Sequence, residues 1–247
     1  MRFDLELLDA SVNSADIGGY VAAALNEEPF VHLAANQWVD LPQTERRRRF
    51  GGLSEALGDV VLNRLKRPKI EEVTGKEVGF SFHTDHPYLE RPEQIVGLMA
   101  LKTPVKGSVV GLLSGEDIGR WHSMATPLER ANANDVFRGF YYFRGPDGSV
   151  KHGMVVTPSG RGVRFDEQCF VTESERKRAS LLTTLFRTAA AKEGTSVTLW
   201  HGDMLFFHNR SHLHRVLRPN GDEQTFLRTR VARLHRIRHE RVRYRDY

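Results

Sequence analysis

The chain has 247 residues, 40% of them hydrophobic, which is enough to bury a sizeable core and is read as one domain. Lys and Arg number 36 against 31 Asp and Glu, an excess of +5 gathered at Arg46 to Arg49 and after Arg228; a surplus this local fits an anionic small molecule as well as a nucleic acid. The one cysteine, Cys169, excludes an intrachain disulfide and a thiolate zinc site, and no run has secretory or membrane-spanning character, so a soluble cytoplasmic protein is expected.

Ser14 and Asp16 open a short helix through Val21 to Leu25. Pro29 to Leu33 reads as a buried strand, with His32 as a hydrogen-bonded structural histidine. From Leu41 to Leu65, apolar residues return at helical spacing, and Gly51-Gly52 is expected to divide the segment into two helices. Arg46 to Arg49 would then form a solvated basic face, and Lys66 to Lys76 a loop.

Phe80-Ser81-Phe82-His83-Thr84-Asp85 reads as the end of a strand, and His86 to Pro92, with two prolines, as a loop at the mouth of a site. Strands are expected at Ile95 to Leu101 and Ser108 to Leu113, helices from Gly115 to Met124 and after Thr126-Pro127, and a hairpin from Phe137 to Phe143 and Val150 to Thr157. Thr172-Glu173-Ser174-Glu175 is a capping box, followed by the stripe Leu181, Leu182, Leu185, Phe186, Ala189. After Gly194 the pattern predicts strands at Ser196 to Trp200, Met204 to His208 and Thr225 to Leu234. Many short strands with helical support suggest a β-sandwich or distorted barrel; strict βαβ alternation is absent.

In extended chain, side chains two apart share a face, so His83 and Asp85 can aim at one ion while Thr84 points away. A third ligand is sought in the run from His201 to His214, which offers His208, His212 and His214 among its imidazoles. Two histidines and one carboxylate with open positions form the ligand set of non-haem Fe(II) oxygenases.

With His83-Thr84-Asp85, Asn209-Arg210-x-x-x-His214 and an arginine-bearing last strand, the chain from about Leu53 to Arg236 resembles the taurine dioxygenase and clavaminate synthase-like superfamily. The resemblance implies Fe(II), 2-oxoglutarate and O2, with His83, Asp85 and His214 as iron ligands; His208 stands where the family usually has Asp. It implies that Arg228, with Arg230 as runner-up, pairs with the distal carboxylate of 2-oxoglutarate. An earlier arginine of relatives falls on Gln224; their 2-oxoglutarate-contacting Thr falls on Gly111, leaving Ser108 as the nearest hydroxyl. Arg164-Phe165-Asp166 matches an element of clavaminate synthase-like members, so Arg164 and Asp166, with His86, Tyr88 and Arg91 of the loop, are substrate-site candidates.

The implied fold is mainly β with flanking helices (α+β) around a distorted double-stranded β-helix, or jelly roll. Helical support spans about 1–75, the core about 76–236 and a basic tail 237–247. The implied reaction oxidises a small metabolite, by analogy an amino acid or its derivative, while 2-oxoglutarate is decarboxylated to succinate. Related halogenases have a small residue in place of Asp85, so its presence favours hydroxylation or desaturation. Two rival readings are a nucleic-acid-binding protein acting through Arg236, Arg238, Arg241, Arg243 and Arg245, and a zinc hydrolase built on the same ligands.

Overall fold

The computed structural model describes residues 2–4, 14–34, 38, 40–62, 69–217 and 223–235. The arginine-rich tail, Pro219-Asn220-Gly221 and Lys66 to Pro68 lie outside them. Elements follow in the order β1 (Arg2–Asp4), α1 (Ser14–Glu27), β2 (Phe30–Ala34), α2 (Gln43–Leu57), β3 (Gly58–Val60), β4 (Glu71–Thr74) and α3 (Gly75–Val78). Next come β5 (Ile95–Lys102), β6 (Ser108–Ser114), α4 (Gly115–Met124), α5 (Pro127–Arg138), β7 (Phe140–Arg144) and β8 (Val150–Met154). A 3-10 turn (Glu167–Cys169), α6 (Glu173–Glu193), β9 (Thr195–Leu199), β10 (Met204–His208), β11 (His212–Val216) and β12 (Thr225–Leu234) complete the order.

The strands form a seven-stranded sheet in the order β1-β2-β10-β5-β12-β3, with β4 also on β12, a three-stranded sheet β11-β6-β9, and the hairpin β7-β8. All pairings except β1 with β2 are antiparallel. The two larger sheets enclose one core cluster: Val96, Leu98 and Ala100 of β5, Leu205 and Phe207 of β10, and Phe226 of β12 meet Val110 and Leu112 of β6, Val197 and Leu199 of β9, and Val216 of β11. Alternate residues of the same strands, Ile95, Met99, Met204, Phe206, Leu227 and Val231, face α1 and α2. Burial on both faces explains why β5 and β10 read as unbroken apolar runs rather than alternating ones. A third cluster joins α4, α6 and the hairpin to Phe82, Leu113 and Leu213.

Four expectations are corrected by tertiary packing. Gly51-Gly52 does not divide α2, because Phe50, Gly51, Leu53 and Leu57 continue one buried stripe against α1. Burial of that stripe outweighs the ~1 kcal/mol helix cost of each glycine. Close approach is required on the α1 side too, where a Cβ on Gly18 would stand 2.3 Å from Ala56 Cβ. The expected loop before the His83 segment contains β4 and the start of α3, the latter opened by a Thr74–Glu77 capping box. Phe137 belongs to α5, and the hairpin starts only at Phe140. Leu181 is exposed, since α6 buries Ala179, Leu182, Phe186 and Ala189, a stripe one residue out of phase with it.

Candidate metal centre

His83 is not the end of a regular strand. It makes an isolated antiparallel bridge with His214, each backbone N–H donating to the other's carbonyl at 3.0 and 2.8 Å. That pairing sets the two imidazoles side by side, with ring centroids 4.2 Å apart. Strand β11, which the sequence reading did not anticipate, carries His214; His214 pairs with Leu112 of β6 and its side chain is fully buried. Thr84 points the other way, as expected: Thr84 N–H donates to the Phe165 carbonyl at 2.6 Å, and its hydroxyl oxygen accepts from Phe165 N–H at 3.2 Å.

Asp85 joins the two histidines. Its Oδ1 lies 3.7 Å from His83 Nε2 and 3.6 Å from His214 Nε2, and ligand atoms of the three residues fall within 4.8 Å of one another. Arg230 Nε donates to the other oxygen, Oδ2, at 2.6 Å, so one carboxylate oxygen is anchored and the other faces the imidazoles. Burial disfavours the ionised carboxylate, but the guanidinium groups of Arg230 and Arg228 outweigh it and hold the Asp85 carboxyl well below the usual range.

Burial and the nearby His83 push His214 well below the ordinary histidine value, leaving a neutral imidazole. Among the described residues neither of its nitrogens has a hydrogen-bond partner, although both are buried. His83 Nδ1 lies 3.0 Å from the Ser81 carbonyl, which can only accept; Nδ1 is therefore the donor there, and Nε2 is the nitrogen turned toward Asp85. The Nε2 atoms of His83 and His214 and one oxygen of Asp85 converge, with no hydrogen bond among the three. This donor set fits a divalent transition metal, and buried orphan nitrogens are otherwise costly.

Asn209 holds the carboxylate ligand from behind. Its Oδ1 accepts from Asp85 N–H at 2.7 Å, while Nδ2 donates to the carbonyls of Asp85 and Glu93 at 3.0 and 3.2 Å. Arg210 Nε donates to the Pro92 carbonyl at 2.7 Å, so the Asn-Arg pair ties the loop after Asp85 to the end of β10. Gly79, in a left-handed conformation with φ 108°, packs on His83, where a Cβ would stand 2.6 Å from Cε1.

The competing histidines are engaged elsewhere. His208 Nε2 donates to the Leu25 carbonyl at 2.7 Å, and His212 Nδ1 lies 2.9 Å from Ser211 Oγ; both line a different cleft. Ser108 is not brought to the centre. It pairs with Leu199, four residues along β6 from Leu112, or about 13 Å in an extended strand.

Arg228 and Arg230 do converge here. Both line a cleft of about 760 Å³ together with His83, Asp85, His86, Tyr88 and Asp166. Arg91 and Arg164 line another cleft; Arg164 donates to the carbonyls of Pro87 and Leu89 at 2.7 and 2.9 Å and so braces the loop. His86, at φ 49°, hydrogen-bonds Glu93 at 2.8 Å. Cys169, also in the cleft wall, has its thiol pushed up to about 12 by burial and is unreactive near neutral pH. His32 is paired with Asp203 at 3.1 Å, the structural role expected of it.

Fold and site together define an enzyme of the two-histidine, one-carboxylate class, with a pair of arginines beside the metal ligands. A model of the family described as "Taurine catabolism dioxygenase TauD, TfdA family" matches residues 23–235. The chain belongs to that family and is an Fe(II)- and 2-oxoglutarate-dependent dioxygenase.

Solved structures share the fold. An asparagine oxygenase in complex with Fe(II), 2S,3S-3-hydroxyasparagine and succinate superposes with a TM-score of 0.61 at 14% identity, covering 94% of this chain and 93% of that one. A taurine dioxygenase from Burkholderia xenovorans gives 0.60 at 16% identity over 89% and 84%. The non-heme iron oxygenase OrfP in complex with Fe gives 0.56 at 14% identity over 94% and 93%. No curated protein matches by sequence. Among the described residues, no helix is long and apolar enough to cross a membrane.

Proposed function

We propose that this dioxygenase hydroxylates or desaturates an unactivated C–H bond of a small metabolite, with an amino acid or amino-acid derivative as the substrate class. His83, Asp85 and His214 would hold the iron, and Arg228 would receive the distal carboxylate of 2-oxoglutarate. The observation carrying this reading is the convergence of Asp85 Oδ1 and the two Nε2 atoms, at 3.7 and 3.6 Å, with His83, Asp85, Arg228 and Arg230 lining one cleft. We read the two facing sheets as a jelly roll, and residues 1–247 as a single oxygenase domain.

When bound, the iron centre supplies the oxidising chemistry, coupling 2-oxoglutarate decarboxylation to C–H oxidation. The chain's own residues orient and exclude. Arg230 keeps Asp85 ionised and turned so that one oxygen faces the imidazoles. Buried Arg228 Nε has no partner, a donor suited to a carboxylate. His86, Tyr88 and Asp166 reach the cleft and are the residues proposed to touch substrate, whereas Arg164 acts by bracing the loop of His86 and Tyr88. Arg144 and Asp166, of opposite charge, both line this cleft and suit a zwitterion.

The amino-acid reading is supported by likeness to an enzyme that acts on asparagine, and by those charges. Its test is a panel of amino acids and derivatives with iron and 2-oxoglutarate, monitored by substrate-dependent succinate release. At least one amino-acid-type compound is expected to raise release well above the uncoupled rate; stimulation by other metabolites alone would overturn the assignment.

A further inference from the structure

Strand β4 lies along the first half of β12 and places Glu71 directly opposite Arg228. Glu71 Oε2 accepts from Arg230 NH1 at 2.6 Å and from Arg228 NH2 at 3.2 Å, while Oε1 lies 2.8 Å from Lys69 Nζ. Arg230 has a second partner in Asp85. Arg228 stands 3.9 Å from Asp85, beyond hydrogen-bond reach, and its buried Nε is unpaired. Glu71 is therefore the carboxylate that hydrogen-bonds Arg228, with Asp85 farther off as its second counter-ion.

We propose that Glu71 is an internal stand-in for the cosubstrate's distal carboxylate and sets the affinity of the site for 2-oxoglutarate. The proposal rests on the reading of Arg228 as the cosubstrate clamp. A buried guanidinium left without an anion is costly, so Glu71 compensates Arg228 before the cosubstrate arrives. An incoming carboxylate must then share the guanidinium with Glu71 or displace it, and either outcome subtracts from binding. Displacement is physically open: the Glu71 side chain is 25% exposed and Lys69, 46% exposed, remains as its partner. Burial opposes ionisation of Glu71, yet Lys69, Arg230 and Arg228 prevail and hold its carboxyl at about 2, so the competing charge is present throughout the neutral range. Glu71 is a positioning and affinity-setting residue; it contacts no reacting atom.

The test is Glu71→Gln, which keeps shape and removes charge. Iron-loaded protein is titrated anaerobically with 2-oxoglutarate and, in parallel, with 2-oxobutyrate, which lacks the distal carboxylate; binding is read from the visible chelate band and by calorimetry. Glu71→Gln is expected to tighten 2-oxoglutarate binding by roughly three- to tenfold, the scale of one partly exposed ion pair. The gain should be absent for 2-oxobutyrate, which brings no second carboxylate to compete with Glu71. Unchanged or weaker 2-oxoglutarate binding, or an equal gain for 2-oxobutyrate, would overturn the proposal. Glu71→Asp, which withdraws the carboxylate by one methylene, should tighten binding less, and carries the test alone if Glu71→Gln does not fold; weaker binding by it would show a brace. A parent protein that binds 2-oxobutyrate as tightly as 2-oxoglutarate defeats the clamp reading itself, whereas a parent that prefers 2-oxoglutarate but has unmoved Glu71→Gln affinity defeats only the role of Glu71.

Discussion

Removing the Asn209 side chain should cost both stability and metal. Asn209 is fully buried and satisfies three backbone groups, the N–H and carbonyl of Asp85 and the carbonyl of Glu93, at 2.7 to 3.2 Å. In Asn209→Ala these groups lose their partner; at about 1–3 kcal/mol for each buried group left unsatisfied, with water recovering part, the loss is about 3–5 kcal/mol. At about 2–4 °C per kcal/mol for a chain of this size, the melting temperature should fall by roughly 6–20 °C. Asp85 would also lose its fixed backbone, and outer-shell partners of metal ligands typically contribute about 10–100-fold in affinity. Thermal melts of apo protein and anaerobic Fe(II) titrations of the folded variant measure the two effects separately. A variant melting within about 2 °C of the parent and binding iron equally well would refute the idea that Asn209 holds the ligand in place.

Gly79→Ala should lose iron affinity by at least about tenfold, because its Cβ would press on His83, whereas Gly148→Ala, also at positive φ but with open space around it, should lose stability alone. Equal iron binding by the two variants would contradict this. Arg228→Ala should raise the 2-oxoglutarate requirement by about tenfold or more with metal binding largely kept; an unchanged requirement would move the clamp to Arg230. Burial lowers the folded-state pKa of His212 to about 4, below its ordinary value of 6.5. The unfolded chain thus binds the extra proton first, and stability contributed by the neutral ring is present above pH 6.5 and lost as pH falls toward 4. This amounts to roughly 3 kcal/mol at most, and equilibrium unfolding of His212→Gln against pH should show a flatter acid limb.

The metal ligands were legible because their chemistry is local: a His-x-Asp pair in extended chain and an imidazole at the end of an Asn-Arg motif. Most strands were legible for the same reason, since β5 and β10 are apolar on both faces. Strand β11 was missed because His212-Leu213-His214-Arg215-Val216 carries three polar side chains, which only pairing with β6 makes compatible with burial. Glu71 was missed because a charged pair, Glu71-Glu72, between Pro68 and Gly75 reads as loop; its proposed role depends on Arg228 and Arg230, more than 150 positions away. Ser108 was chosen for its hydroxyl, but the register of β6 decides which residues reach the centre. Nothing in the spacing of Arg164-Phe165-Asp166 separates a bracing arginine from a cleft-facing aspartate.

The most direct measurement is the visible spectrum of the protein with Fe(II) and 2-oxoglutarate under anaerobic conditions. The parent should develop the weak charge-transfer band of the chelate, and folded His214→Ala should not. A well-folded parent without that band, or a His214→Ala variant that retains it, would contradict the assignment of His83, Asp85 and His214 as the iron site.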